Sequence, residues 1–454
     1  MDSKKFDLTQ GDILRKLVMT AIPIMGTAFV QMTHNLIDMF WLSRLSSESV
    51  AAAGSGGMYL WLSMGLLFIS RMGSEIGVSQ NVGKGNMNKA QKYAQNAFLL
   101  ASILGIVFML FLITLRVPLI HFLNIQEREV IELAQTYLVI IAFSIPFMYV
   151  NAVFKGMFNG FGNTKIPFYI NTVGVFINMI LSPVLIFPFG LGLFGAAVAT
   201  SFAQIVMFIY FVIVIKKHKN RPFEHFHFFS KLDKKIINRI FKWGIPMGLE
   251  STLFTIITMI SSRFVAEFGF SAIAVQRIGS QIESLTWLIG GGFASAVTAF
   301  IGQNSGAQQY ARMHAGFKIA IRVMLAWGAF VTLIMLLFPK QLFMIFLSDP
   351  VEVQMGIDYL RVFALMQITM CLEGVSAGAF RGRGLTIYPS IVSIIGNATR
   401  IPLTLLFVTF SPYGLNGIWM AFTIGGLFRG TWLVIWYLVN AKKLPKENVV
   451  LTEN

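Results

Sequence analysis

Apolar residues gather in long runs separated by short polar stretches, from Leu14 to Asn440. About twelve runs reach the ~20 residues a helix needs to cross a bilayer. The pattern places spans at 14–40, 50–78, 93–115, 131–154, 166–188 and 191–215. A second set falls at 243–266, 272–301, 317–338, 355–380, 387–410 and 414–440. The first two spans of each set are longer and more polar than a minimal crossing, as expected of tilted or cavity-lining helices. Between the sets lies a basic segment, 216–242. Its second part, Lys231 to Arg239, is read as a short amphipathic helix at the membrane surface or as a plain topogenic loop. The expected fold is an all-α integral membrane protein with two six-helix lobes: an N-lobe over 1–215, a linker over 216–242 and a C-lobe over 243–454.

The two sets are copies of one another. Ile22-Pro23 recurs as Ile245-Pro246, and Gln80-Asn81 with Gly83 recurs as Gln303-Asn304 with Gly306. Gly156, Phe158, Gly160, Gly162, Thr164 and Pro167 recur as Gly378, Phe380, Gly382, Gly384, Thr386 and Pro389. Gly192, Leu193 and Gly195 recur as Gly414, Leu415 and Gly417. Every pair is offset by 222 or 223 positions. An even number of crossings per copy gives both copies one orientation, related by an axis along the membrane normal. Two such lobes around a cavity suit alternating access.

Composition agrees with this picture and charge refines it. The 454 residues are 56% hydrophobic and 12% charged, outside the range of a soluble domain. The formal charge of +16 would suggest nucleic acid in a soluble chain, but here Lys and Arg alternate between loops. One side carries Lys4, Lys5, Arg15, Lys16, Lys84, Lys89, Lys92, Lys165, the run from Lys216 to Lys242, Arg312, Lys318, Arg381, Arg383, Lys442, Lys443 and Lys446. The other carries Arg44, Arg116, Arg128 and Lys340 among acids. This positive-inside bias places both termini in the cytoplasm, in a multi-pass protein of a bacterial inner membrane. The one cysteine, Cys371, allows no internal disulfide. No cleavable signal peptide, Walker motif, metal-ligand spacing or nucleophile–His–Asp order stands out, so neither ATP hydrolysis nor another enzymatic activity is expected.

Acids inside spans are the candidate chemistry. Asp38, Glu75, Glu250, Glu283 and Glu373 each fall in an apolar run. Each costs about 2.5–3.5 kcal/mol at a helix centre unless it is paired, protonated or wetted. Asp38 shares a helix face with Gln31, His34 and Asn35. An acid there can load a proton on one side and release it on the other; the plain alternative is a structural hydrogen bond. Glu75 has Arg71 one turn before it, which reads as a self-contained ion pair or gate. Glu250, Glu283 and Glu373 lack a local basic partner. They read as a polar C-lobe cavity for cationic substrate with Arg277 nearby, or as a structural network centred on Arg277 or Arg400, with Arg429 as a further internal partner. Gly290-Gly291-Gly292 reads as a close approach or bend.

At these residues the chain resembles the multidrug and toxic compound extrusion (MATE) family. The resemblance rests on Asn35 and Asp38, on Val78 to Gly83, on Gly160 to Pro167, and on the degenerate copy Arg381 to Pro389. It implies a cofactor-free, monomeric secondary antiporter that exports cationic or amphipathic small molecules against inward H⁺ or Na⁺. A nucleic-acid partner is not implied. By the same resemblance Asp38 is the coupling acid, with Asn35, Asn178, Thr200 and Ser182 around it, and Asp38 with Asn178 would hold Na⁺ if that ion is used. Members with a second N-lobe acid carry it where this chain has Ser182, which favours H⁺. Glu250 resembles a glutamate of the NorM-like branch, yet the tenth-span aspartate of that branch is Met370 here, with Glu373 a turn later. The chain therefore reads as closer to DinF-like members. A lipid-linked glycan flippase of the wider superfamily is the alternative.

Overall fold

The computed structural model describes residues 6–123, 125, 127–410 and 413–442. Lys4, Lys5, Lys443 and Lys446 of the charge pattern lie outside them. The described residues form sixteen helices: α1 Ile13–Ser43, α2 Ser47–Gly83, α3 Met87–Thr114, α4 Arg116–Phe122, α5 Arg128–Ala142, α6 Ile145–Phe161, α7 Lys165–Ile186 and α8 Gly192–Lys217. The second half continues with α9 Lys234–Ala266, α10 Phe270–Gly306, α11 Tyr310–Leu337, α12 Pro339–Met344, α13 Pro350–Gly382, α14 Ile387–Ala398, α15 Arg400–Phe410 and α16 Gly414–Lys442. Eleven spans among them are long and apolar enough to cross a membrane, and the bent pair α5–α6 makes a twelfth. Only helices satisfy every backbone group without water, which is why so apolar a chain takes this form.

Two expectations need correction. The span expected at 131–154 is two helices meeting at 44° near Phe143 and Ser144. Pro146 follows at the start of α6 and has no N–H to continue α5. The span expected at 387–410 stands as one crossing, Ile387–Phe410, interrupted only by a turn at Thr399 just before Pro402. The surface helix expected around 231–239 is not separate: residues from Lys234 onward open α9, which runs unbroken into the span. Asp233 starts it, its carboxylate accepting from Lys235 N at 2.8 Å and Ile236 N at 3.3 Å.

The chain divides into two compact units. Unit 1 holds residues 1–7 and 26–248; unit 2 holds 8–25 and 249–454. The opening part of α1 therefore belongs to unit 2, and the opening part of α9 to unit 1. Both crossovers fall two residues beyond an internal proline, Pro23 in α1 and Pro246 in α9. In unit 2 the Gln303-Asn304 motif holds the chain's beginning: Leu8 N donates to Gln303 Oε1 at 2.9 Å, and Asn304 Nδ2 donates to Leu8 O at 3.1 Å. In unit 1 the carbonyl of Ile69 lies where a side chain on Gly244 would go.

The copies match in local geometry as well as in sequence. Gly162 and Gly384 both follow their helix in the left-handed region, at φ +95° and +76°, which only glycine adopts freely. A Cβ on Gly160 would lie 2.6 Å from the Glu75 carbonyl oxygen, and one on Gly382 would lie 2.6 Å from that of Thr298, 223 positions after Glu75. Small residues thus let α6 approach α2 and α13 approach α10 backbone to backbone.

Candidate functional site

Asp38 stands a turn and a half from the end of α1, with a quarter of its side chain accessible. His34, one turn earlier and buried, brings Nε2 to 3.5 Å from Asp38 Oδ2. Across the unit-1 interior, Asn178 on α7 and Thr200 on α8 complete the group. With the Asn178 amide oriented to satisfy both neighbours, its Nδ2 donates to Asp38 Oδ1 at 3.2 Å and its Oδ1 accepts from Thr200 Oγ1 at 3.1 Å. Tyr137 on α5 lies within electrostatic reach of the acid. No lysine or arginine is among these contacts: the partners are an amide, a hydroxyl and an imidazole.

The other two expected members behave differently. Asn35 is exposed and accepts from Gln31 Nε2 at 3.4 Å instead of binding Asp38. Ser182 is buried one turn beyond Asn178, and its hydroxyl joins neither Asp38 nor Asn178. Beside the group, Gln31, His34, Gly174, Asn178, Thr200 and Gln204 line a pocket with about 20 Å³ of free space. That admits about one water or one small cation, and no organic solute.

From this group a polar line that sequence reasoning missed runs over α8, α6 and α7. Gln204 is one turn after Thr200, and Asn151 Nδ2 donates to both its backbone and side-chain oxygens at 3.0 Å. Lys155, one turn after Asn151 on α6, donates from Nζ to Asn171 Oδ1 at 2.7 Å. Asn171 is fully buried two turns before Asn178 on α7. The signal is a lysine inside an apolar run, Phe154-Lys155-Gly156, whose acceptor lies on the next helix. Arg71 Nε and Glu75 Oε2 are 3.6 Å apart, with Glu75 almost wholly buried, so these two do pair.

In unit 2 the three acids are each engaged. Glu250 accepts from Ser390 Oγ at 2.8 Å and lies 3.9 Å from Arg381 Nη2. Glu373 pairs with Arg429 Nε at 3.2 Å, and Arg429 also donates to Asn397 Oδ1. Glu283 accepts a short bond from the Tyr359 hydroxyl. Arg277 is exposed and joins none of the ion pairs among the described residues. Arg381 and Arg429, neither of them the expected centre, supply the pairing. No group of three metal-binding side chains occurs among the described residues.

A bundle of this kind, duplicated and carrying partnered acids in apolar spans, defines a polytopic membrane protein of the transporter class. The MatE family model matches the chain twice, over residues 23–184 and 246–406. The chain belongs to that family, and the double match coincides with its internal repeat. It is 27% identical to the probable multidrug resistance protein NorM of Thermotoga maritima, over 94% of this chain and 92% of that one. It is 24% identical to the multidrug export protein MepA of Staphylococcus saprophyticus, over 92% of each. Among solved structures it superposes on MATE in the straight conformation with a TM-score of 0.91 at 22% identity, covering 97% of this chain and 98% of that one. An outward-facing multidrug resistance MATE transporter gives 0.90 at 23%, covering 97% and 99%.

Proposed function

We propose that this protein is a secondary antiporter that exports cationic or amphipathic small molecules by alternating access, with Asp38 as its coupling acid. The observation that carries this reading is the Asp38–Asn178–Thr200 group: one carboxylate in a span, held by neutral partners beside a pocket of one-water size. A carboxylate with no counter-charge is most stable in a span when it holds a proton or a small cation. The relatives' names, probable multidrug resistance protein and multidrug export protein, point to the same substrate class. One charge moving down ~150 mV supplies about 3.5 kcal/mol, enough to concentrate a neutral solute several-hundred-fold.

Protons are the preferred coupling ion. Na⁺ favours several oxygens and compensating charge, and this site offers a single carboxylate. That single-acid site also supports a DinF-like rather than NorM-like assignment, although NorM is the name borne by the relative above. Residues 1–215 and 243–454 act as the two lobes, joined by 216–242, in a monomer with both termini in the cytoplasm of a bacterial inner membrane. The flippase alternative demands several unpaired cations for a pyrophosphate. Arg381 and Arg429 both have carboxylate partners, which disfavours it.

The test is uptake of a fluorescent organic cation into inside-out proteoliposomes under an imposed H⁺ or Na⁺ gradient. Wild type should respond to the H⁺ gradient and folded Asp38→Asn should not. Wild-type transport by the variant would remove Asp38 from the mechanism.

A further inference from the structure

The repeat places one residue of unit 2 where the coupling site has another. Asn178 plus the 222-residue offset is Arg400. The register holds on both sides. Gly174 corresponds to Gly396, and Met207 corresponds to Arg429. A Cβ on Gly174 would strike the Met207 side chain, and one on Gly396 would strike the Arg429 side chain. Thr200 corresponds to Phe422 by the same offset. Gln31 corresponds to Phe254, by the 223 that relates Pro23 to Pro246. Asp38 itself corresponds to Ser261, which is buried.

These correspondents are also together in space. The Arg400 guanidinium lies 5.1 Å from the Phe422 ring centre and 5.8 Å from that of Phe254. The place that in unit 1 has an acid among small polar groups thus has, in unit 2, a cation between two aromatic faces. Arg400 is 8% exposed, and its buried Nε has no hydrogen-bond partner. Its guanidinium takes part in none of the ion pairs among the described residues. Thr404, one turn further along α15, likewise has a buried and unpartnered hydroxyl. Glu283 and Glu373 act on Arg400 electrostatically, but they are held by Tyr359 and Arg429.

A guanidinium N–H buried without a partner is costly, because it has left water without replacement. Its fork geometry fits a carboxylate with two parallel bonds, and the flanking rings fit a flat apolar body. The six charged groups here are three guanidiniums and three carboxylates. A bare anion would leave one uncompensated negative charge among them, whereas a ligand carrying its own cation would not. We propose that Arg400, Phe254, Phe422 and Thr404 form a subsite for the carboxylate of a zwitterionic aromatic solute. This rests on the export reading above and narrows its substrate class.

The test is equilibrium binding, measured by fluorescence anisotropy, to full-length protein in nanodiscs of zwitterionic lipid only. The probes are rhodamine 110, a flat zwitterion with one carboxylate, and its methyl ester, which keeps the cation and lacks the anion. Wild type should bind the acid at least tenfold more tightly than the ester, and the zwitterion 4-(aminomethyl)benzoate should displace the acid more readily than the ester. Folded Arg400→Gln should weaken the acid at least tenfold and change the ester less than threefold, with Arg400→Lys between. Should Arg400→Gln not fold, Phe422→Thr and the 4-(aminomethyl)benzoate competition on wild type decide. Equal binding of acid and ester by wild type, or equal loss of both in the variants, overturns the carboxylate subsite and leaves the export reading standing. Binding of neither probe overturns both.

Discussion

Asn178 on α7 joins Asp38 on α1 to Thr200 on α8, its amide donating to the acid at 3.2 Å and accepting from the hydroxyl at 3.1 Å. One neutral side chain therefore ties the acid's protonation to the positions of three helices. When Asp38 is charged the amide N–H bond to it strengthens; when it is protonated that bond weakens. Asn178→Ala should keep a folded protein but uncouple it. The expected result is at least a tenfold fall in gradient-driven uptake with binding of the organic cation within threefold of wild type. A parallel fall in both would mean that Asn178 serves packing alone.

Ser182 lies one turn from Asn178 and contributes no bond to the group. Replacing it by aspartate supplies a second carboxylate on the same face of α7. Two acids at one site share a proton or hold a metal cation between them. Ser182→Asp should make uptake respond to an Na⁺ gradient that wild type ignores. An unchanged ion preference in a folded variant would show that carboxylate count does not set ion choice here.

The Lys155–Asn171 bond predicts an asymmetry in stability. Asn171→Ala takes from a buried ammonium the amide oxygen that accepts from it, which costs about 1.5–3 kcal/mol for a hydrogen bond to a charged group. Lys155→Met removes the charge and leaves only a neutral amide oxygen unpaired, costing about 1 kcal/mol. Thermal unfolding in detergent should show the larger fall for Asn171→Ala. The reverse order would indicate that the lysine is not buried as a charge.

Glu373 and Arg429 should behave as a buried pair. Removing either partner is expected to cost about 3–5 kcal/mol, and removing both with Glu373→Gln and Arg429→Met should recover most of the loss. A double variant no more stable than the singles would mean that Asn397, the other Arg429 partner, carries the interaction.

Close helix approach gives a packing test with its own control. A Cβ on Gly105 would lie 2.7 Å from the Pro146 Cα, so Gly105→Ala should destabilise by about 1–3 kcal/mol. Gly54 has nothing within 4 Å, and Gly54→Ala should be neutral or slightly stabilising in its helix. Equal melting shifts for the two would contradict the geometry of α3 against the α5–α6 bend.

What the sequence made legible, and what it hid, follows from the range of each signal. Spans are read from twenty-residue hydropathy and the repeat from glycines and prolines at one offset; both are local or periodic. The bend before Pro146 and the break before Pro402 sit inside unbroken apolar runs, where hydropathy has no contrast. Asp38 was visible as a charge in a span, and Arg71–Glu75 was visible because its partners are one turn apart. The partners of Glu250, Glu283 and Glu373 come from helices 56 to 140 residues away, such as Arg429, Tyr359 and Ser390. No spacing rule reaches so far. Lys155 was overlooked because its acceptor, Asn171, lies on the next helix.

The central claim is that Asp38 carries the coupling proton. The most direct measurement loads proteoliposomes with a pH-sensitive dye and imposes a downhill gradient of an organic cation, with no pH gradient at the start. Wild type should move protons opposite to the cation, and folded Asp38→Asn should exchange cation without moving protons. Proton counterflow at the wild-type rate through Asp38→Asn would contradict the account.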